Sequence, residues 1–322
     1  MKSLSIVAAL GTALLFTAAG APARADYPDK PIEMIVAFAP GGGTDVAARS
    51  IARYMEKYLG PGARIGVVNK PGAGGEIGWT SVAQGKVDGY TIGFINAPAI
   101  NALVVEGKSK FKMSDFQPVA NLVYDPGVLV VPKNSPYSSL KDLVDAAKKA
   151  SGAVVIGTSG ASGSSEHIAL LNFQRLADTK FTPAFFGGTA PVRQAVLGGH
   201  VPAATMNLSE ALQIAREGTI KVIGVMSAER SSYLPDAPTF REGGYDVVVG
   251  ASRGIAAPKG IPADVIAKLE KAIDQALKDP EYLDAAKKAE IPLQYLASSD
   301  FKAFLDRAST DLEATWKATP WK

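Results

Sequence analysis

Four loops rich in glycine or serine carry most of the chemistry this sequence could support. They are Ala39-Pro40-Gly41-Gly42-Gly43-Thr44-Asp45, Pro71-Gly72-Ala73-Gly74-Gly75-Glu76, Gly157 through Ser165, and Phe186-Gly187-Gly188-Thr189-Ala190. Each follows a strand-like run and precedes a helix. That places all four beyond the carboxyl ends of strands, where open α/β sheets bind ligands. Glycine there lets backbone N–H groups approach an anion, and a helix N-terminus adds partial positive charge. Two such loops could hold a carboxylate or a phosphate from both sides; taken singly, each is also an ordinary tight turn.

Other chemistries fail on residue type or spacing. The chain has no cysteine, which excludes disulfides, thiolate-bound zinc, iron–sulfur clusters and thiol nucleophiles. Two histidines, His167 and His200, leave little for a zinc site or a histidine-based triad. There is no P-loop motif, and in Gly72-Ala73-Gly74-Gly75-Glu76-Ile77-Gly78 the last glycine falls one residue too far for a dinucleotide fingerprint. Gly160-Ala161-Ser162-Gly163-Ser164 resembles a nucleophile elbow but ends in serine where that motif has glycine. His167, five residues after Ser162, sits in the next helix and is badly placed to act as its base. An exported serine hydrolase using Ser162 is therefore the alternative to a binding protein.

The elements that position these loops alternate strand and helix. Ile32 to Phe38 reads as a buried strand. Thr44 fits a helix N-cap, followed by Ala47, Ala48, Ile51, Met55 and Leu59 at helical spacing. Strands are expected at 65–68, 90–95, 128–131, 154–156, 182–186, 203–206, 221–226, 247–249 and 254–257. Helices are expected near 139–150 and 166–176, through Val192 to Leu197, and at 263–278, 280–288 and 299–315. Strand, glycine loop and helix in succession imply a parallel sheet with right-handed crossovers. The 322 residues suffice for two domains, and 47% apolar residues suffice for their cores. With 34 Lys and Arg against 31 Asp and Glu, the net charge of +3 makes no nucleic-acid-binding surface.

Residues 1–25 read as a secretory leader. Lys2 starts it, an apolar run spans Leu4 to Ala19, and Ala23-Arg24-Ala25 supplies small residues before a cut after Ala25. The run is shorter and richer in alanine than a membrane span. Removing Lys2 and Arg24 leaves a formal charge of +1 on a soluble exported chain.

Phe38-Ala39-Pro40-Gly41-Gly42-Gly43-Thr44-Asp45, Asn69-Lys70-Pro71-Gly72-Ala73-Gly74-Gly75 and Asp88-Gly89-Tyr90-Thr91-Ile92 resemble the N-terminal signature of the Bug family. These are periplasmic substrate receptors of tripartite tricarboxylate transporters. The resemblance continues through Gly157-Thr158-Ser159-Gly160 with His167, Leu197-Gly198-Gly199-His200-Val201, and Arg253-Gly254-Ile255-Ala256-Ala257-Pro258-Lys259-Gly260. It implies an α/β type II periplasmic binding protein, a Venus flytrap of two lobes joined by two crossover strands. One lobe would be 26–125 plus 232–322 and the other 126–231. It also implies a non-catalytic, cofactor-free monomer that passes a di- or tricarboxylate, or a related organic acid, to integral membrane transporter subunits.

By that resemblance, Pro40, Gly42, Gly43, Thr44 and Asp45 in the first loop and Ser159, Ala161, Ser162, Ser164 and Ser165 in the serine loop grip the ligand's proximal carboxylate. Phe38 and Phe186 would wall the cleft, and Ala73, Thr189 and Asn207 complete the expected contacts. As a carboxylate, Asp45 would repel an anion directly and reads better as a loop organiser. For His167 the readings are ligand contact or helix capping and packing; for Trp79 they are core or stacking platform. Many family members carry an aromatic residue two positions before Gly254, where this chain has Ser252, followed by Arg253. Arg253 is either a surface arginine or the partner of a ligand's distal carboxylate.

Overall fold

Side-chain alternation along the first strand already shows a sheet covered on both faces. Ile32, Met34 and Val36 enter one apolar cluster, while Ile35 and Ala37 enter another. The computed structural model describes residues 27–318, 320 and 321. The expected leader, with its cut after Ala25, lies outside the described residues. In chain order the strands are β1 (Ile32–Val36), β2 (Ile65–Asn69), β3 (Thr91–Ala97), β4 (Phe116–Pro132), β5 (Val155–Thr158), β6 (Thr182–Phe185), β7 (Ala203–Asn207), β8 (Ile220–Val225), β9 (Gly250–Pro258) and β10 (Leu293–Ala297). The helices are α1 (Gly43–Leu59), α2 (Glu76–Ala83), α3 (Ala99–Val105), α4 (Leu140–Lys149), α5 (Ser165–Ala177), α6 (Thr189–Leu197), α7 (Leu208–Arg216), α8 (Ala263–Lys278), α9 (Pro280–Lys288) and α10 (Ser298–Ala318). Among the described residues no helix is long and apolar enough to cross a membrane.

The strands run in the order β2-β1-β3-β9-β4-β7-β5-β6, with β8 and β10 also paired to β4. β1 pairs in parallel with β2 and β3, and β5 with β6 and β7, so both halves carry the expected crossovers. β4 belongs to both. Its first part, Phe116 to Pro126, lies antiparallel to β9, and its second part, from Gly127, lies antiparallel to β7 and β8. Each half has its own core. Met55, Phe94 and Leu269 pack in the first. Leu129 and Val131 face one side of the second half, and Val128 and Val130 face the other.

The chain recrosses beside β4 at Val249 and Gly250, where the Gly127 N–H donates to the Val249 carbonyl (2.9 Å). A Cβ on Gly250 would lie 2.6 Å from the Asp125 carbonyl oxygen and 2.9 Å from Pro126 Cα, so only glycine lets the two crossings touch. Ala237, Phe240 and Val247 pack with the second half. Val247 to Val249 is also not a strand but an irregular link held by backbone bonds to Met226 and Gly127.

Candidate functional site

The carboxyl ends of β1 and β5 carry the first glycine loop and the serine loop. Gly42 is the N-cap of α1 with no side chain to cap it, and Ser164 is the N-cap of α5, its Oγ accepting from the His167 N–H. First-turn N–H groups of a helix have no intrahelical acceptor, so both loops present amide donors at positive helix ends. Asp45 organises the first loop. It accepts from the Gly41 N–H (2.9 Å), Arg49 (3.1 Å) and Asn69 Nδ2 (2.9 Å). Burial pushes its carboxyl up, but those bonds outweigh burial and hold it below the usual carboxylate range.

A continuous run of contacts links the two loops. A Cβ on Gly43 would lie 3.0 Å from Arg253 Nη2, so the guanidinium rests directly against the start of α1. Arg253 Nη1 donates to Asp125 Oδ2 at 2.6 Å, and Nη2 stands 3.8 Å from Glu210. The Asn207 N–H donates to Glu210 (3.1 Å), and Asn207 Nδ2 donates to Glu166 Oε1 (3.0 Å). Glu166 also accepts from Ser159 Oγ (3.1 Å) and Ser165 Oγ (3.2 Å). From the opposite side, Asn96 at the end of β3 donates to Thr44 Oγ1 (2.8 Å).

Arg253 departs from the surface reading. It is not on the surface: it is 3% exposed, its Nη1 is paired with the fully buried Asp125, and its Nε is buried without a partner. It sits within β9, across from Asn96 on one side and Val123 on the other. Ser159 and Ser165 spend their hydroxyls on Glu166, and Ser164 caps its helix. Ser162 Oγ is buried without a partner. The ring Nδ1 of His167 accepts from the Gly163 N–H (3.1 Å), and burial pushes the imidazole down to about 4, so it is a neutral strut for the serine loop.

Phe38 stands edge-on to Trp79, which is fully buried with its Nε1 donating to Phe94 (3.0 Å); the core reading of Trp79 holds. Pro40 and Ala73 are exposed on their loops, and a Cβ on neighbouring Gly74 would touch Ala161 Cβ (3.8 Å). Thr189 opens α6. Phe186 turns onto Gly157 and the second core, while the neighbouring Phe185 takes the place beside His167.

The halves also meet where the serine loop reaches α3. A Cβ on Gly163 would lie 2.8 Å from Ala102 Cβ of α3. Trp321 packs with Ala102, Ile168 and Leu312, donates to Glu106 Oε1 (2.5 Å) and stands edge-on to His167.

Sequence reasoning missed Asp125, Glu166, Glu210 and Asn96. One usable signal was Asn207-Leu208-Ser209-Glu210, a capping-box spacing that sets Glu210 at a strand–helix junction. Burial pushes the Glu210 carboxyl up to about 7; Arg253 opposes the shift, while Glu166 and Asp125 add to it. Arg193 also reaches the Glu210 carbonyl oxygen. The unfolded chain has the lower Glu210 pKa and releases this proton first as pH rises, so folding stability should fall by about 2 kcal/mol between pH 5 and pH 7. Glu210→Gln should flatten that fall, read as denaturation midpoints at both pH values; parallel curves for the two proteins would exclude Glu210 as its source.

Comparison with known proteins agrees with this architecture. Residues 47–317 match the model of the tripartite tricarboxylate transporter family receptor. Protein BugT of Bordetella pertussis is 32% identical over 290 residues, 88% of each chain. The solved periplasmic binding protein BugD is 29% identical, with a TM-score of 0.80 over 91% of this chain and 98% of its own. MatC of Rhodopseudomonas palustris, solved with bound malate, is also 29% identical, with a TM-score of 0.80 over 89% and 99%. These relatives are solute-binding receptors rather than enzymes, and the chain shares their two-lobed α/β fold. It belongs to the tripartite tricarboxylate transporter receptor family.

Proposed function

We propose that the protein is an extracytoplasmic solute receptor that closes its two halves around a small organic carboxylate and delivers it to integral membrane transporter subunits. The observation that carries this reading is the run of contacts joining the amide-bearing starts of α1 and α5, one from each half. The family supports it, as does the malate held by MatC. On the same reading the leader is cut after Ala25, the receptor works as a periplasmic monomer, and the lobes divide at the two crossings, near 125–127 and 249–250. The serine-hydrolase alternative lacks its base. His167 Nδ1 is occupied by Gly163, and Ser162 Oγ has no partner.

A thermal-shift screen of small mono-, di- and hydroxycarboxylates on the mature chain tests the reading. A ligand at 100 times its Kd should add about 2.7 kcal/mol of stability. It should be recovered chemically unchanged. Turnover of an ester, abolished by Ser162→Ala, would instead establish the hydrolase.

A further inference from the structure

A groove of about 670 Å³ opens at the far ends of α4 and α5, away from the run of contacts between the loops. Lys148 of α4, Arg175 of α5 and Lys180 of the link before β6 line it. Asp178 is the only acid among the described residues that do so, and Leu171 and Phe181 add apolar surface. Arg175 stands about 15 Å along α5 from Ser165 at the helical rise per residue, so the groove is separate from the amide-bearing start of that helix.

The cations of this groove are uncommitted. Lys141, at the start of the same α4, pairs with Asp145 one turn on, as Lys278 does with Asp274 and Lys302 with Asp306. Among the described residues, the side chains of Lys148, Arg175 and Lys180 have no ion-pair or hydrogen-bond partner. Lys148 and Arg175 each suit the negative end of their own helix, but Lys180 lies beyond both helices and faces the same concavity. Three cations against one acid leave the groove electropositive. The last turns of α4 and α5 also end here, and a helix end leaves carbonyl acceptors without intrahelical donors.

Both halves build the groove. Leu143 of α4 and Phe173 of α5 pack in the core of the second half. Thr315, on the groove's lining, belongs to α10, which is rooted in the first half through Phe301 and Leu305. Its walls therefore stand together only while the halves are arranged as they are here.

We propose that this groove is where an acidic segment of an integral membrane transporter subunit docks on the receptor. Acidic side chains would meet Lys148, Arg175 and Lys180, and the segment's own backbone N–H groups would meet the helix-end carbonyls. A free inorganic anion supplies the first contact but not the second. Because the groove spans the halves, a segment seated in it binds this arrangement better than a parted one and so distinguishes the two states. The inference rests on the transporter-receptor reading and adds to it the face that is recognised.

The first test titrates dye-labelled hexaglutamate, hexaglutamine and inorganic phosphate into the mature protein. Hexaglutamate should bind more tightly than either of the others. Arg175→Glu with Lys180→Glu should weaken it at least about tenfold, whereas Lys287→Glu with Lys288→Glu on α9 should change it less than about twofold. Equal effects of the two reversals, or phosphate binding as tightly as hexaglutamate, would overturn the inference. The second test places photoreactive benzoylphenylalanine at Asn172 or Thr315, or at Ala73 on the second glycine loop, in cells that make receptor and transporter. Groove positions should cross-link to an Asp- and Glu-rich stretch of a membrane subunit, identified by mass spectrometry, and Arg175→Glu with Lys180→Glu should abolish the product. A membrane-subunit product from Ala73 alone, one that survives the reversal, or a product with a second receptor copy alone would overturn the inference and leave the receptor reading intact. No membrane-subunit product from any position would count against both.

Discussion

Asp125→Ala should lower stability by about 3–5 kcal/mol, the range expected when one partner of a buried ion pair is removed. Asp125 is fully buried, and besides Arg253 it accepts from the Ser209 N–H (3.1 Å) and Ser209 Oγ (2.5 Å). The substitution strands the guanidinium against the positive end of α1, with Glu210 at 3.8 Å as its nearest acid. It also removes the tie between β4 and the start of α7 just where the chain crosses between halves. The double variant Asp125→Ala, Arg253→Met should recover most of the loss, because no unpaired charge remains. Chemical denaturation of wild type, single and double variants reads the difference. A single variant within about 1 kcal/mol of wild type, or a double variant no better than the single, would show that the pair does not anchor the crossing.

Methyl-esterifying the carboxylate of any confirmed ligand should weaken binding at least 100-fold, about 3 kcal/mol. The donors proposed to hold it are first-turn amides of α1 and α5, and charge-assisted bonds to a carboxylate are about twice as strong as those to a neutral ester carbonyl. The ester also forgoes the attraction of two helix N-termini. Competition calorimetry with the acid and its ester measures this directly. Equal affinities would place the carboxylate away from the two loops.

The strands that end in glycine loops were legible because both faces of a parallel sheet are buried, which leaves continuous apolar runs such as Met34 to Ala39. The first part of β4 was not. Pro118 and the turn-like Asp125-Pro126-Gly127 interrupt its pattern, and β-bulges absorb two register shifts against β9. β10 escaped because Gln294 and Tyr295 are exposed. At the site, the loops could be read from their composition, but the charges between them could not. A first-turn acid such as Glu166 looks like any favourable N-terminal residue until its burial is known. Arg253 could be singled out by its departure from the family pattern. Its partner Asp125 lies 128 residues earlier, and no local spacing joins the two.

Trp321 bears on how long a ligand stays. It sits in a small cluster drawn from α3, α5 and α10, with its indole N–H on Glu106 and its ring against His167. Parting the halves has to undo this cluster, at residues outside the run of contacts proposed to meet the ligand. If the halves part to release the ligand, as the proposed function requires, the barrier to release has a component set at this corner, independent of how tightly the loops grip the ligand. Receptors sharing the same loops but differing at this corner could bind with similar strength and yet release on different timescales. On the proposed reading, in which the ligand passes to membrane transporter subunits, dwell time and affinity then become separately adjustable.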